Sequence, residues 1–261
     1  MEYTSGYVVF IDILGFSTFV STEDNGEKTA ELFSFINKFC YLFNSSEKLK
    51  INVSFFSDSI VITAEELTSL IPPIYIAESY LQAHLGLLFR GGVAFGKYYH
   101  QNGVTFGPAV ISAYQLEKKA NYSRIIIHPD ITTNKDTDAY FFKDIDGYTC
   151  INPFSVLLNE IEAYGADGVH YPDGDICDAI KEVLVKYRSR ILESIKRYVG
   201  MSVVEKYLWR IRAFNYTCHM YAEMPCETII YEPIGYAVDK RFKELFASQI
   251  ISEEEISRMG R

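Results

Sequence analysis

Apolar and polar positions along this chain alternate between two periods, and each change of period predicts a new element. Residues 7–13 form an apolar run broken by a single carboxylate, Asp12, and read as a strand. Residues 27–43 repeat their apolar positions at helical spacing, with Leu32, Phe35, Ile36, Phe39 and Leu42 on one side. Residues 50–56 and 59–63 return to a strand pattern and read as a hairpin whose tight connection holds Ser57 and Asp58. The Pro72-Pro73 break starts a helix expected over about 74–89. Residues 90–95 are strand-like, and Gly91 and Gly92 permit a close backbone approach or a bulge. A loop over 103–108 leads into a helix with Pro108 in its first turn, apolar or small through Leu116. Residues 124–128 form another strand, ended by Pro129.

The order βαββαβ predicts an α+β fold of ferredoxin-like or palm type with an antiparallel sheet. In that arrangement the two central strands are neighbours, so Asp12 and Asp58 are expected to converge on one point. The remainder changes character. Residues 140–151 read as a β-hairpin around Asp146-Gly147, and residues 165–174 are rich in Gly, Asp and Pro. The latter segment is the expected boundary between a first domain, 1–164, and a mainly helical extension, 165–261. Long helices are expected over 176–198 and 203–221, with Ser252 capping a last short one. The extension is expected to pack on the core or on a partner subunit.

One Asp after an apolar strand is ordinarily a turn residue or a cap. Two on adjacent strand ends are different, because paired carboxylates need a cation between them, and oxygen-only ligation suits Mg²⁺ or Mn²⁺. Composition narrows the chemistry further. A net charge of −9 over 261 residues opposes nonspecific nucleic-acid binding. No apolar run approaches the roughly 20 residues of a membrane span, and the N-terminus lacks a signal-peptide pattern, so a cytoplasmic protein is expected. The five cysteines form no Cys-x-x-Cys pair and read as reduced thiols. The five histidines are dispersed, and no nucleophile elbow or Walker loop is present.

With these residues in view, Phe10-Ile11-Asp12-Ile13-Leu14-Gly15-Phe16 resembles the metal-binding first strand and phosphate loop of class III nucleotidyl cyclases. Phe56-Ser57-Asp58-Ser59 falls where that family carries its second metal-binding Asp. Arg90-Gly91-Gly92-Val93-Ala94-Phe95-Gly96 resembles the glycine-bearing strand that follows, and Phe106-Gly107-Pro108-Ala109-Val110 the loop opening the site helix. The Ser-Asp-Ser hairpin and the Gly-Pro-Ala-x-x-x-x-Ala-Tyr helix look most like the bacterial pyrimidine cyclases of the Pycsar anti-phage system. This resemblance implies two Mn²⁺ or Mg²⁺ ions held by Asp12, Asp58 and the Ile13 carbonyl. It implies phosphate contacts from the amides of Leu14, Gly15 and Phe16. It also implies a homodimer with active sites at its interface, and a product sensed by a separate cyclic-nucleotide-binding effector.

The departures from the family matter as much. Where purine cyclases carry a base-reading Lys, this chain has Ser54, on the same strand face as Phe56. Its acidic partner is replaced by Val104. Ser54 and Phe56 are therefore expected to form a pyrimidine-binding wall, for UTP or CTP, with UTP favoured. The helix positions that hold an Asn and an Arg in purine cyclases are Ile111 and Gln115 here. Loss of a cation that meets developing charge slows such chemistry. The alternatives are a purine cyclase with an unconventional pocket and a cyclase-like module that binds nucleotide or a partner protein without catalysis.

Overall fold

The computed structural model describes residues 2–21, 26–133, 140–154, 185, 187–193, 195–196 and 204–220. They fall into two units, one made of Met1–Tyr140 with Tyr148–Ile151, the other of Phe141–Gly147 with Asn152–Arg261.

The first unit contains β1 (Thr4–Leu14), α1 (Phe16–Ser21), α2 (Gly26–Asn44), β2 (Ile51–Phe56), β3 (Ser59–Ala64), α3 (Ile71–Tyr80), β4 (Leu88–Gln101), β5 (Val104–Phe106), α4 (Pro108–Glu117) and β6 (Ile125–Ile127). Its sheet runs β2-β3-β1-β4-β6, and β5 pairs with β4. The pairs β2–β3, β3–β1 and β1–β4 are antiparallel, whereas β4–β6 is parallel. The first four strands thus form the expected α+β, ferredoxin-like βαββαβ core.

The register divides the side chains between two faces. Val9, Ile11, Ile60 and Ile62 point to one face and are fully buried, and Leu32, Phe35, Phe39 and Phe43 of α2 are buried as well. Asn44 fastens the end of α2 to the edge strand β2, its amide donating to the Val53 carbonyl at 2.8 Å and accepting from the Val53 N–H at 2.7 Å. Val8, Ala94 and Tyr98 face the other way and pack against Ala109 and Ala113 of α4. Both faces of β1 are covered, which explains its almost unbroken apolar run.

Several elements differ from the sequence expectation. Leu42 is exposed and Phe43 takes its place, because the buried stripe of α2 advances from Phe39 by four residues rather than three. The helix expected over 74–89 begins at Ile71 with both prolines in its first turn. It widens at Leu81–Leu85 and stops at Gly86, whose φ of 66° is left-handed. Leu88 and Phe89 belong to β4, which an apolar run continuous across the boundary conceals. β4 also extends to Gln101 and turns at Asn102-Gly103 into β5. Positive φ at both residues (51° and 77°) is what a two-residue hairpin turn of this kind requires.

In the second unit, β7 (Phe141–Lys143) precedes the Gly147 turn. β8 (Thr149–Ile151), which follows that turn, belongs to the first unit and pairs with β6 at Ile126 and Cys150. The second unit's α5 (Val204–Met220) matches the helix expected over 203–221. Asp144 is buried there, accepting from Trp209 Nε1 at 2.8 Å and pairing with Arg212 Nη1 at 2.9 Å. The expected boundary at 164/165, the start of the helix at 176 and the Ser252 cap lie outside the described residues. Among the described residues no helix is long and apolar enough to cross a membrane.

β4 and α4 come into close backbone contact at Gly92. A Cβ on Gly92 would lie 2.6 Å from the Ala113 carbonyl and 2.7 Å from the Glu117 amide. Gly92→Ala is expected to cost about 1–3 kcal/mol or more, read as a lowered thermal midpoint. Gly26→Ala, with open space around its Cβ, leaves the midpoint unchanged or slightly raised.

Candidate functional site

Four side chains line up across one end of the sheet. The register pairs Phe56 with Ser59, Ser59 with Asp12, and Asp12 with Arg90. The neighbouring row on the same face runs Ser54, Val61, Phe10, Gly92. Asp58 sits in the β2–β3 turn, where Ser57 has a left-handed φ of 57°. Its carbonyl accepts the Ile13 N–H at 2.7 Å, which ties the turn to the end of β1 immediately after Asp12. Asp12, Ile13 and Asp58 are thus brought to one end of the two central strands.

The chain then leaves β1 through Leu14, Gly15 and Phe16. Gly15 has φ 78°, and a Cβ placed on it would meet no atom within 4 Å, so this glycine serves backbone conformation and not packing. The first helical bond of α1 runs from the Phe19 N–H to the Gly15 carbonyl at 3.0 Å. Leu14, Gly15 and Phe16 precede the donor of that bond, where the helical ladder is only beginning.

The charges around Asp12 include two residues that were not sequence candidates for the site. Arg90 Nε lies 3.4 Å from Asp12 Oδ2 and makes a second, closer ion pair with Glu117 Oε1. Glu117 closes α4 with its side chain only 3% exposed. Burial pushes its carboxyl above the usual range; the Arg90 charge opposes that shift and the Asp12 charge adds to it. The signal for Glu117 was present in the sequence. Ala109, Ala113, Leu116 and Glu117 are the buried positions of α4, so the carboxylate falls on the apolar stripe of its helix.

Ser54 and Phe56 share a face but not an environment. Phe56 is 83% exposed, whereas Ser54 is half-buried and its Oγ lies 2.7 Å from Thr105 Oγ1. Thr105 Oγ1 is in turn 2.7 Å from His100 Nδ1, and burial holds that imidazole below its usual range. Thr105 and His100 were missed because they depend on the β4–β5 hairpin, whose signal is the Asn-Gly pair at 102–103. Ile111 and Gln115 are exposed on α4. Lys118 lies over the Tyr114 ring at 4.1 Å, and Arg124 is buried, donating from Nε to the Ala120 carbonyl at 2.8 Å.

The donor set fits a hard divalent cation. Among the described residues no group of three or more His, Cys, Asp and Glu could form a metal cage. Mg²⁺ commonly uses only one or two carboxylates and completes its shell with water and substrate phosphate. Two carboxylates and a carbonyl at a half-open strand end suit that mode, and Glu117 gives Arg90 a partner other than Asp12.

No protein-family model matches the chain, and no curated protein matches it. Among solved structures it is similar to the monomeric guanylyl cyclase domain of the RhoGC fusion protein from the aquatic fungus Blastocladiella emersonii. That likeness has 13% identity and a TM-score of 0.42, over 58% of this chain and 98% of that one. It is also similar to the adenylate/guanylate cyclase/hydrolase from Silicibacter pomeroyi, with 16% identity and a TM-score of 0.39, over 57% of this chain and 95% of that one.

The raised carboxyl of Glu117 has a signed consequence. Its stabilising contribution is complete below the ordinary carboxylate pKa and is lost as pH rises through the raised value. Relative to Glu117→Gln, which cannot ionise, the native protein is therefore expected to lose stability as pH rises from the ordinary carboxylate range through the raised one. Denaturant unfolding of both proteins across that window measures the difference.

Proposed function

We propose that this chain is a metal-dependent pyrimidine nucleotide cyclase, converting UTP, or CTP, to the 3′,5′-cyclic monophosphate and pyrophosphate. The observation that carries this reading is the junction of Asp12 and Asp58. Two carboxylates on adjacent strand ends, tied by the Ile13–Asp58 backbone bond at 2.7 Å, stand beside a glycine turn. In this reading Asp12, Asp58 and the Ile13 carbonyl hold Mn²⁺ or Mg²⁺. The chemistry supplied by such ions is acidification of the ribose 3′-hydroxyl and neutralisation of the triphosphate. The 3′-oxygen loses its proton and bonds to the α-phosphorus, while the bond to the β-phosphate bridging oxygen breaks and pyrophosphate leaves. Amides of Leu14, Gly15 and Phe16 orient the phosphates. Arg90, held between two carboxylates, positions Asp12.

The base end of the site is the row containing Ser54. It lies two residues along the strands from the Asp12 row, about 7 Å, and two strand spacings across, about 10 Å. The ribose bridges that offset. A neutral hydroxyl in place of a cation supports a pyrimidine reading over the purine alternative.

A homodimer is part of the proposal. Val104 and Phe106 on β5 and Ile111 and Tyr114 on α4 expose between 39% and 58% of their surface. Exposed apolar side chains concentrated on neighbouring elements favour a protein partner, and a second copy would add groups that Ile111 and Gln115 do not supply. A second messenger for anti-phage defence, read by a separate effector, rests on the family resemblance alone.

Incubating the protein with each of the four ribonucleoside triphosphates and Mn²⁺ tests the activity. Cyclic pyrimidine product and pyrophosphate are expected from wild type, and background levels from Asp12→Ala and Asp58→Ala at unchanged circular dichroism. Formation of no cyclic product by protein that binds Mn²⁺ would leave the non-catalytic module. Ile111→Glu should shift sedimentation toward monomer and lower turnover together. Full turnover by a demonstrable monomer would remove the dimer.

A further inference from the structure

The β4–β5 hairpin brings two side chains to Ser54 that neither metal nor phosphate chemistry uses. Register pairs His100 directly with Thr105, and the strand order alone would leave both remote from β2. Instead Thr105 Oγ1 lies 2.7 Å from both His100 Nδ1 and Ser54 Oγ, so the three half-buried groups form one continuous chain.

Such a chain has a direction. A hydroxyl carries one proton and can donate to only one neighbour at a time. When His100 Nδ1 bears a proton, it donates to Thr105, Thr105 donates to Ser54, and the Ser54 proton is left to point outward. When Nδ1 is bare, Thr105 donates to it, Ser54 donates to Thr105, and Ser54 presents lone pairs outward. The same serine is a donor in the first state and an acceptor in the second. Uracil O4 matches the donor, and the cytosine amino group matches the acceptor.

We propose that Thr105 and His100 are positioning residues that set the hydrogen-bonding polarity of Ser54 and so select the nucleobase edge this site accepts. This deepens the cyclase reading and rests on it for the identity of the ligand. A serine held by a directed chain leaves polar atoms unpaired against the wrong edge, which is the costly mismatch in a partly buried pocket. A free serine would rotate and serve either.

Thr105→Val keeps the shape and removes the relay. It is expected to reduce the kcat/KM preference for the favoured nucleotide over its best competitor by about tenfold or more, mainly through KM. Thr105→Ser should restore the preference to within about threefold, because it restores the hydroxyl. Nitrogen NMR of the His100 imidazole in the wild-type protein provides an arm independent of turnover. Adding UTP or CTP with Ca²⁺ should fix one Nδ1 protonation state with the favoured nucleotide and not with the other. An unchanged preference in Thr105→Val, failure of Thr105→Ser to restore it, or an imidazole indifferent to both nucleotides would overturn the relay. If no nucleotide is cyclised yet the imidazole responds selectively, the cyclase reading fails and the relay stands. Turnover by wild type with an indifferent imidazole gives the converse.

Discussion

The candidate site depends on how closely α4 lies against β4. At Gly92 the helix backbone occupies the space where any other residue would place its Cβ, with the Ala113 carbonyl 2.6 Å and the Glu117 amide 2.7 Å away. That approach lowers the last turn of α4 onto the sheet and buries Glu117 next to Arg90. Arg90 is the cross-strand partner of Asp12, so the helix, through one carboxylate and one guanidinium, reaches the end of β1. A missing side chain thus makes the charge arrangement possible. Were α4 lifted by one methyl group, Glu117 would be drawn toward solvent and Arg90 left to Asp12 alone.

The second constraint lies in the backbone. The Ile13 N–H to Asp58 carbonyl bond fixes the β2–β3 turn against β1 without using either carboxylate side chain. Pairing with Ser59 and Arg90 fixes the Asp12 backbone, and the Ile13 bond fixes that of Asp58. Like charges held together in this way repel unless a cation joins them. Arg90 supplies one fixed positive charge to Asp12 and is itself shared with Glu117. A divalent ion with a triphosphate is the chemistry that would complete the balance.

Much of this was legible in the sequence where a short period or a strong turn signal governs the chain. The strands of the β2–β3 hairpin and Pro108 in the first turn of α4 follow from local pattern, and the approach of Asp58 to the end of β1 from the βαββαβ order. Glu117 did not, because it stands beside Lys118 and Lys119 and reads as part of a solvated charge run. Only its place on the stripe of Ala109, Ala113 and Leu116 marks it as buried. Thr105 and His100 were hidden by a different cause. Their meeting with Ser54 spans 51 residues between Ser54 and Thr105 and depends on a hairpin folding across the sheet. Gly86 ended a helix inside an uninterrupted apolar stretch, where periodicity alone has little to register.

The central claim is that one nucleotide lies with its phosphates at Asp12 and Asp58 and its base at Ser54. A crystal structure with Mn²⁺ and a non-cyclisable UTP analogue tests it most directly, using the anomalous signal to locate the metal. The account predicts Mn²⁺ bound by both carboxylates, the α-phosphate beside it, and the uracil edge within hydrogen-bond distance of the Ser54 hydroxyl. Metal bound elsewhere, or a base turned away from β2, would contradict it.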